Sequence, residues 1–404
     1  MNRQEISTKL IELSKIHNNI LLQFCTGLGK SKIVLDIINN LQKAEKAKIL
    51  LIIAEKAHRN NWIEEFEKWN FDYSNITIEC YASLKKYKNT DWNICIMDEG
   101  HHIGSDLRLN ILKTIKIDKT YILSATFPKE IFENLQAIIG RIEVTTISLN
   151  KAIEWGILPY PKVFLIPLKL DEYVENSVIQ INKGKKHQRV HIICEFKDRW
   201  KYMNTKNYPN IELTIKCTER EKYDYLSQNF DYWKKQYFET GLENHKTKWL
   251  STGSERKRFL GNSKSEKVQH LLCKLKDSRY ICFCASIDQA ELLGKEKAVH
   301  SRKSNSLDII TKFNNKEINN IFAVSMVQEG MNLADIEAGI ITQLDGYDRG
   351  WKQKIGRIFR AKEPIQYIFY YENTKDEDYL TKVLEGIDNS YIQYIHNIKT
   401  FKPL

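Results

Sequence analysis

At 404 residues the chain is long enough for two or three domains that each bury a core. Its 42% hydrophobic and 28% charged residues are those of a folded globular protein, which argues against disorder, and no apolar run approaches the roughly eighteen residues a membrane span needs. The net charge of +11 is concentrated: residues 181–220 hold ten Lys/Arg against four Asp/Glu and residues 241–268 hold seven against three, so a polyanionic partner is expected for the middle of the chain.

The N-terminal stretch MNRQEISTKLIELSK carries charge throughout and lacks an apolar signal core, so a cytoplasmic location is expected, the host cytoplasm if the protein comes from a phage. Short β-rich runs follow: NILLQF (19–24), KILLIIA (48–54), ITIECY (76–81), NICIMD (93–98) and TYILSA (120–125). Between them lie amphipathic stretches such as SKIVLDIINNLQKA and NNWIEEFEKW, and strands that alternate with helices predict a parallel sheet covered on both faces. The same alternation returns over 280–371 in YICFCAS, KAVHS, NNIFAVS, AGIITQLD and IQYIFYY. The stretch in between differs, with strand-like VFLIPLKL and IELTIKC, the basic segment and an aromatic-rich helix, EREKYDYLSQNFDYWKKQYFE. The fold class predicted is α/β, with two parallel-sheet lobes at 1–149 and 265–404 and a crossover plus basic insert at 150–264. Eight scattered cysteines show no zinc spacing, and Cys282 and Cys284 are expected to be buried free thiols that do not converge on one ion.

The stretch LLQFCTGLGKSK (21–32) ends in Gly-Lys-Ser as a phosphate-binding loop does, but Phe24 occupies the place of its first glycine. A buried strand before it and an amphipathic helix after it supply the context in which loop amides and a helix N-terminus face phosphates. Gly27 and Gly29 permit close backbone approach, Lys30 would bridge β- and γ-phosphates, and the Ser31 hydroxyl would ligate Mg²⁺. By itself the loop reads equally well as a strand running into a turn. NICIMDEGHH ends an apolar strand on Asp98 and Glu99, a carboxylate placed for Mg²⁺ and a second placed to activate water; an isolated pair of this kind is more often a solvated strand end. TYILSATFP ends another strand on the hydroxyls of Ser124 and Thr126. In QKIGRIFRA (353–361), Gln353, Gly356, Arg357 and Arg360 share one helical face, which suits arginine fingers and equally a basic surface helix.

Taken in order, these motifs resemble those of the superfamily-2 helicases and translocases, which are built from two RecA-like lobes. TGLGKS matches motif I, whose first glycine is often missing in that superfamily; DEGH (98–101) matches motif II, SAT (124–126) motif III and QKIGRIFR (353–360) motif VI. FCAS (283–286) resembles motif IV, VHS (299–301) the next phosphate-contacting strand end and QEGMNL (328–333) motif V. LIIAEKAHRNNWIEEFEKW (51–69) is similar to motif Ia of the Swi/Snf-type translocases, and KAIEWGILPYPKV (151–163) to the crossover of phage-type helicases and type III restriction translocases. Gly100 stands where many relatives have alanine.

The resemblance implies ATP and Mg²⁺ as cofactors and nucleic acid, DNA ahead of RNA, as the partner. It implies that Gln4, Thr26, Gly27, Leu28, Gly29, Lys30, Ser31, Gly330, Asn332 and Gln353 bind the nucleotide and that Ser31 and Asp98 hold the metal. Lys30, Asp98, Glu99, Arg357 and Arg360 would carry catalysis, and His101, Ser124 and Thr126 would couple phosphate state to lobe closure. Lys56, Ser286, His300 and Ser301 would meet the nucleic-acid backbone. The dense basic run NKGKKHQR adds Lys183, Lys185, Lys186 and Arg189 to that set, although an exposed lysine-rich loop would look the same. Three activities fit: a helicase in phage-type replication, recombination or repair; a duplex translocase without strand separation; and a nucleotide-dependent switch.

Overall fold

The computed structural model describes residues 1–41, 47–56, 58–203, 206–324, 333, 335–344, 363–384 and 387–403. Gly330, Asn332, Gln353, Arg357 and Arg360 lie outside the described residues. The first lobe holds strands β1 (Asn19–Phe24), β2 (Ile49–Ile53), β3 (Ile76–Cys80), β4 (Asp91–Asp98), β5 (Lys116–Ser124) and β6 (Glu143–Ile147). All pair in parallel, in the order β3-β2-β4-β5-β1-β6. A parallel sheet is covered on both faces, which is why its inner strands β1, β2, β4 and β5 carry continuous apolar runs, whereas the edge strands β3 and β6 mix in polar residues.

The alternation of side chains divides those runs between two cores. Ile20, Leu22, Phe24, Leu51 and Ile53 pack toward α1 (Arg3–Ile16), α2 (Lys30–Leu41) and α3 (His58–Lys68). Leu21, Leu50, Ile52 and Met97 pack toward α4 (Asp106–Leu112) and α5 (Lys129–Ile139). Helix α1 starts at Asn2, whose side chain accepts from the Glu5 N–H while the Glu5 carboxylate accepts from the Asn2 N–H, so two donors at the helix start are satisfied reciprocally. After α6 (Leu149–Glu154) the core continues through Ala152, Ile153 and Leu158 into the second lobe.

VFLIPLKL, expected in the middle segment, is instead mostly β7 (Lys162–Leu168) of the second sheet. The insert proper begins with β8 (Ser177–Lys183), β9 (Val190–Glu195), the short α7 (Arg199–Met203) and β10 (Ile211–Cys217), in a sheet ordered β8-β10-β9. One face of that sheet is a small core of Ile179, Ile211, Leu213, Ile215 and Cys217. The aromatic-rich segment is α8 (Glu219–Thr240), which pairs with α9 (Glu243–Ser263) as a long helical hairpin. Thr218 and Glu221 cap α8 reciprocally, and Gly241 ends it at φ 68°, the left-handed turn glycine takes without strain.

The second lobe adds α10 (Ser265–Leu272), β11 (Tyr280–Phe283), α11 (Ile287–Gly294), β12 (Ala298–Val299), α12 (Ser306–Asn314), β13 (Asn320–Ala323), β14 (Ala338–Ile341), β15 (Ile365–Tyr371), α13 (Lys375–Val383) and β16 (Ile392–Tyr394). Its sheet runs β12-β13-β11-β14-β15-β7-β16, again parallel. Cys282 and Cys284 are buried and free as expected, but they are not turned apart: residues two apart on an extended chain share a face, and their sulfurs lie 3.9 Å from each other.

A buried ion pair ties the insert to this lobe. Lys264, fully buried, places Nζ 2.5 Å from Asp376 Oδ2 and donates to the Thr342 carbonyl at 2.8 Å, while Asp376 also accepts from the Tyr371 N–H at 3.2 Å. Burial pushes the Lys264 ammonium below its ordinary range, and Asp376 opposes that shift. Asp376→Ala is therefore expected to destabilise the protein by about 3–5 kcal/mol, because an uncompensated charge stays buried. Urea unfolding followed by far-UV circular dichroism measures it; a change under about 0.5 kcal/mol would mean that the pair is already relaxed by water.

Candidate nucleotide site

Strand order brings the motif residues together. Because β5 lies between β4 and β1, the carboxyl ends carrying Asp98, Ser124 and the Cys25–Gly29 loop stand side by side, with Asp98 level with Leu123 and Gln23 level with Ser124. Ligands of open α/β sheets bind at this edge. The loop turns through Gly27 at φ 88° and Gly29 at φ 97°, a region that strains any residue with a Cβ. Lys30, the first residue of α2, folds back across the loop and donates to the Phe24 carbonyl at 3.1 Å. Arg3 of α1 donates to the carbonyls of Leu28 (3.2 Å) and Gly27 (3.3 Å), and this clasp seats Gln4 beside the loop.

These groups line a cavity of about 640 Å³, together with Thr26, Gly27, Leu28, Gly29, Ser31, Asp98 and Glu99. The sequence-based expectation for the first lobe's nucleotide and catalytic residues thus falls on one cavity. Other residues of the lining carry no role in the sequence reading, among them Arg3, His58, Trp62 and Trp69. The two tryptophans were visible in the NNW…EKW pattern, but nothing local told where they point. Trp69 is partly exposed, its Nε1 donates to Glu65 at 2.8 Å, and the Lys32 and Lys68 ammonium groups lie 4.8 and 5.0 Å from its ring centroid.

Asp98 is held from three sides. Trp62 Nε1 donates to its Oδ2 at 2.8 Å, the Glu99 N–H to its Oδ1 at 3.1 Å and the Tyr81 hydroxyl to its carbonyl at 3.0 Å. Burial, with the Asp98 charge adding to it, holds the Tyr81 phenol well above its ordinary value, so it stays a neutral donor. Glu99 takes a left-handed conformation, φ 46° and ψ 53°, which costs a residue with a Cβ about 1–2 kcal/mol. Such strain concentrates where a side chain must be aimed. Gly100, next in line, is a fitted position: a Cβ there would stand 2.3 Å from Ile122 Cγ2, so the bulk of Ile122 fills the space an alanine methyl would need.

His101, Ser124 and Thr126 form one chain of polar groups. His101 Nδ1 lies 3.1 Å from Ser124 Oγ and 3.5 Å from Glu99 Oε2, and Ser124 donates to the Thr126 carbonyl at 2.6 Å. His101 and Ser124 are buried, so the chain links the motif II turn to the end of β5 away from solvent.

The residues read as nucleic-acid contacts stand at carboxyl ends of strands, but their environments differ. Lys56 and Ser301 are exposed. Ser286 is buried as the cap of α11, accepting from the Gln289 N–H at 3.0 Å and donating to Asn262 at 2.7 Å. His300 is buried with Nε2 2.7 Å from Glu291. In the insert, Lys183 donates to the Met203 carbonyl and Arg189 to the carbonyls of Lys183 and Gly184, whereas Lys185 and Lys186 are exposed at the turn between β8 and β9.

The loop amides, the Lys30 ammonium, the Ser31 hydroxyl and the Asp98 and Glu99 carboxylates around one cavity suit a polyphosphate with a hard cation. Among the described residues no group of three or more His, Cys, Asp or Glu could hold a metal by itself. The oxygen donors of Ser31 and Asp98 on one cavity do fit Mg²⁺, which is held by one or two protein ligands plus substrate phosphates and water.

Two family models match the chain: "Type III restriction enzyme, res subunit" over residues 2–97 and "Helicase conserved C-terminal domain" over residues 263–362. The two models fall one on each lobe and support a superfamily 2 helicase architecture with two RecA-like lobes, that of an enzyme of the ATPase/helicase class. Among solved structures it is similar to the Hef helicase domain of Pyrococcus furiosus, with a TM-score of 0.51 at 14% identity over 94% of this chain and 97% of that one. It is also similar to Dbp5 of S. cerevisiae, solved bound to RNA and ADP BeF3, with a TM-score of 0.55 at 10% identity over 94% of this chain and 85% of that one. No curated protein matches the chain. No helix among the described residues is long and apolar enough to cross a membrane.

Proposed function

We propose that the chain is a DNA-dependent ATPase that moves along its substrate, with strand separation as its activity. The observation that carries the reading is the single cavity shared by the loop, Lys30, Ser31, Asp98 and Glu99. The amides of Thr26–Gly29 and the N-terminus of α2 would cradle the phosphates, with Gln4 beside the base. Lys30 would leave the Phe24 carbonyl for the β- and γ-phosphates. Ser31 and Asp98 would hold Mg²⁺, which when bound neutralises phosphate charge. Glu99 would accept a proton from the attacking water, and Arg357 with Arg360 would stabilise charge on the transferring phosphoryl. The His101–Ser124–Thr126 chain would carry phosphate state toward lobe closure, and cycles of closure would step the protein along the strand. Gly330, Asn332 and Gln353 are assigned to the nucleotide from the second lobe.

Replication, recombination or repair in the cytoplasm is proposed as the process, and the match to a restriction-enzyme subunit supports DNA as substrate. It equally favours a second reading, translocation on duplex without unwinding. ATPase assays with single-stranded DNA, duplex, forked DNA and RNA side by side, paired with strand displacement, test both readings. Stimulation by RNA alone would overturn the DNA assignment, and stimulation by duplex without displacement would select the second reading.

Lys185 and Lys186 are exposed and project from the insert, so they are proposed to neutralise backbone phosphates. Lys185→Ser with Lys186→Ser is expected to weaken duplex binding irrespective of sequence. The slope of log K against log[salt] should become shallower by about 0.9 for each phosphate no longer neutralised, with ATPase in the absence of nucleic acid unchanged. An unaltered slope in a fluorescence-anisotropy salt titration would leave these lysines as solvated surface.

A further inference from the structure

Trp62 has a role that the motif residues do not explain. Its ring is 3% exposed and lies against Phe66 with centroids 5.7 Å apart, while its one polar atom donates to Asp98 Oδ2 at 2.8 Å. A buried indole N–H needs an acceptor, and a backbone carbonyl commonly serves. Here helix α3 delivers it to the carboxylate that ends β4, on the wall of the nucleotide cavity. With the Glu99 N–H on Oδ1, each oxygen has one fixed donor and keeps a lone pair. An indole is a neutral donor that does not titrate, so it sets the direction of the carboxylate without cancelling its charge. A lysine or arginine in the same place would compete with a cation; a tryptophan does not.

We propose that Trp62 is the positioning residue of the Mg²⁺ site, its indole N–H holding the Asp98 carboxylate in the rotamer that turns its remaining lone pairs toward the metal. The proposal rests on the assignment of Asp98 as a metal ligand. Groups that hydrogen-bond a metal ligand from outside set its orientation, and their removal costs about 10- to 100-fold in metal affinity or activity. Trp62 contacts neither nucleotide phosphate nor metal in this assignment and acts through Asp98 alone.

The test uses the full chain with a non-hydrolysable ATP analogue and Mn²⁺ as the spectroscopic probe of the site. Trp62→Phe keeps a ring against Phe66 and removes the donor. Electron paramagnetic resonance titration is expected to show Mn²⁺ bound about tenfold more weakly. The Mg²⁺ concentration for half-maximal ATPase should rise by a similar factor, the rate should recover at saturating Mg²⁺, and analogue affinity without metal should not change. If Trp62→Phe folds poorly, β-(3-benzothienyl)alanine at position 62 retains the bicyclic shape and lacks the N–H. Asp98→Asn runs in parallel. Loss of Mn²⁺ binding in Asp98→Asn with wild-type affinity in the position-62 variants overturns the role of Trp62 and leaves the metal site standing. Wild-type Mn²⁺ binding in Asp98→Asn overturns the metal assignment and this proposal with it.

Discussion

Glu99→Gln is expected to hydrolyse ATP about two to four orders of magnitude more slowly than the wild type while binding it normally. The amide keeps the shape of the side chain and removes its capacity to take a proton from water. Position 99 is already in the left-handed region, and glutamine meets the same backbone cost as glutamate, so the substitution adds no strain. Glu99 Oε2 also stands 3.5 Å from His101 Nδ1, and an amide can still face the ring there. The measurement is single-turnover hydrolysis beside equilibrium binding of a fluorescent ATP analogue. Binding that falls in parallel with turnover would assign Glu99 to the architecture of the turn after β4 in place of general-base chemistry.

Lys30→Ala is expected to abolish measurable turnover. Removal of one donor aimed at developing charge costs about 10²–10³ in rate, and the loss of ground-state attraction to the phosphates adds to it. The ammonium spans the loop to the Phe24 carbonyl, so it already lies where the cradle closes. Alanine is the best helix former and Lys30 opens α2, so the helix should persist. Steady-state phosphate release checks the prediction, with circular dichroism to confirm the fold. Wild-type turnover would mean that the Cys25–Gly29 loop is a plain turn and that the cavity binds something other than a polyphosphate.

Much of this architecture was legible in the residues. NILLQF, KILLIIA, NICIMD and TYILSA are inner strands because a parallel strand buried on both faces must be largely apolar, and that pattern is local; ITIECY, at the sheet edge, is half-buried and mixes in polar residues. The loop, the Asp98–Glu99 pair and the Ser124–Thr126 strand end were found for the same reason: each closes an apolar run, and in a parallel sheet those ends share one edge. Local sequence also marked the aromatic-rich helix of the insert and the basic turn that follows β8.

Only the tertiary structure decided which partners distant residues take. VFLIPLKL joins the second sheet because β15, some 200 residues later, offers a parallel edge, and no local pattern reveals a pairing of that separation. Lys183 and Arg189 turn onto backbone carbonyls while Lys185 and Lys186 face outward, a division that charge counting cannot make. Ser286 and His300 sit at strand ends as read, yet packing buries both and gives them Asn262 and Glu291 as partners. That Gly100 has no room for the alanine methyl of many relatives follows from Ile122, which packs against it only in the folded chain. The Asn-Trp of the third helix was plain in the sequence, but that its indole would reach Asp98 depended on β2 lying beside β4, and strand order is a property of the folded chain. Periodicity and motif spacing report on neighbours along the chain; hydrogen-bond partners and excluded volume are set by neighbours in space.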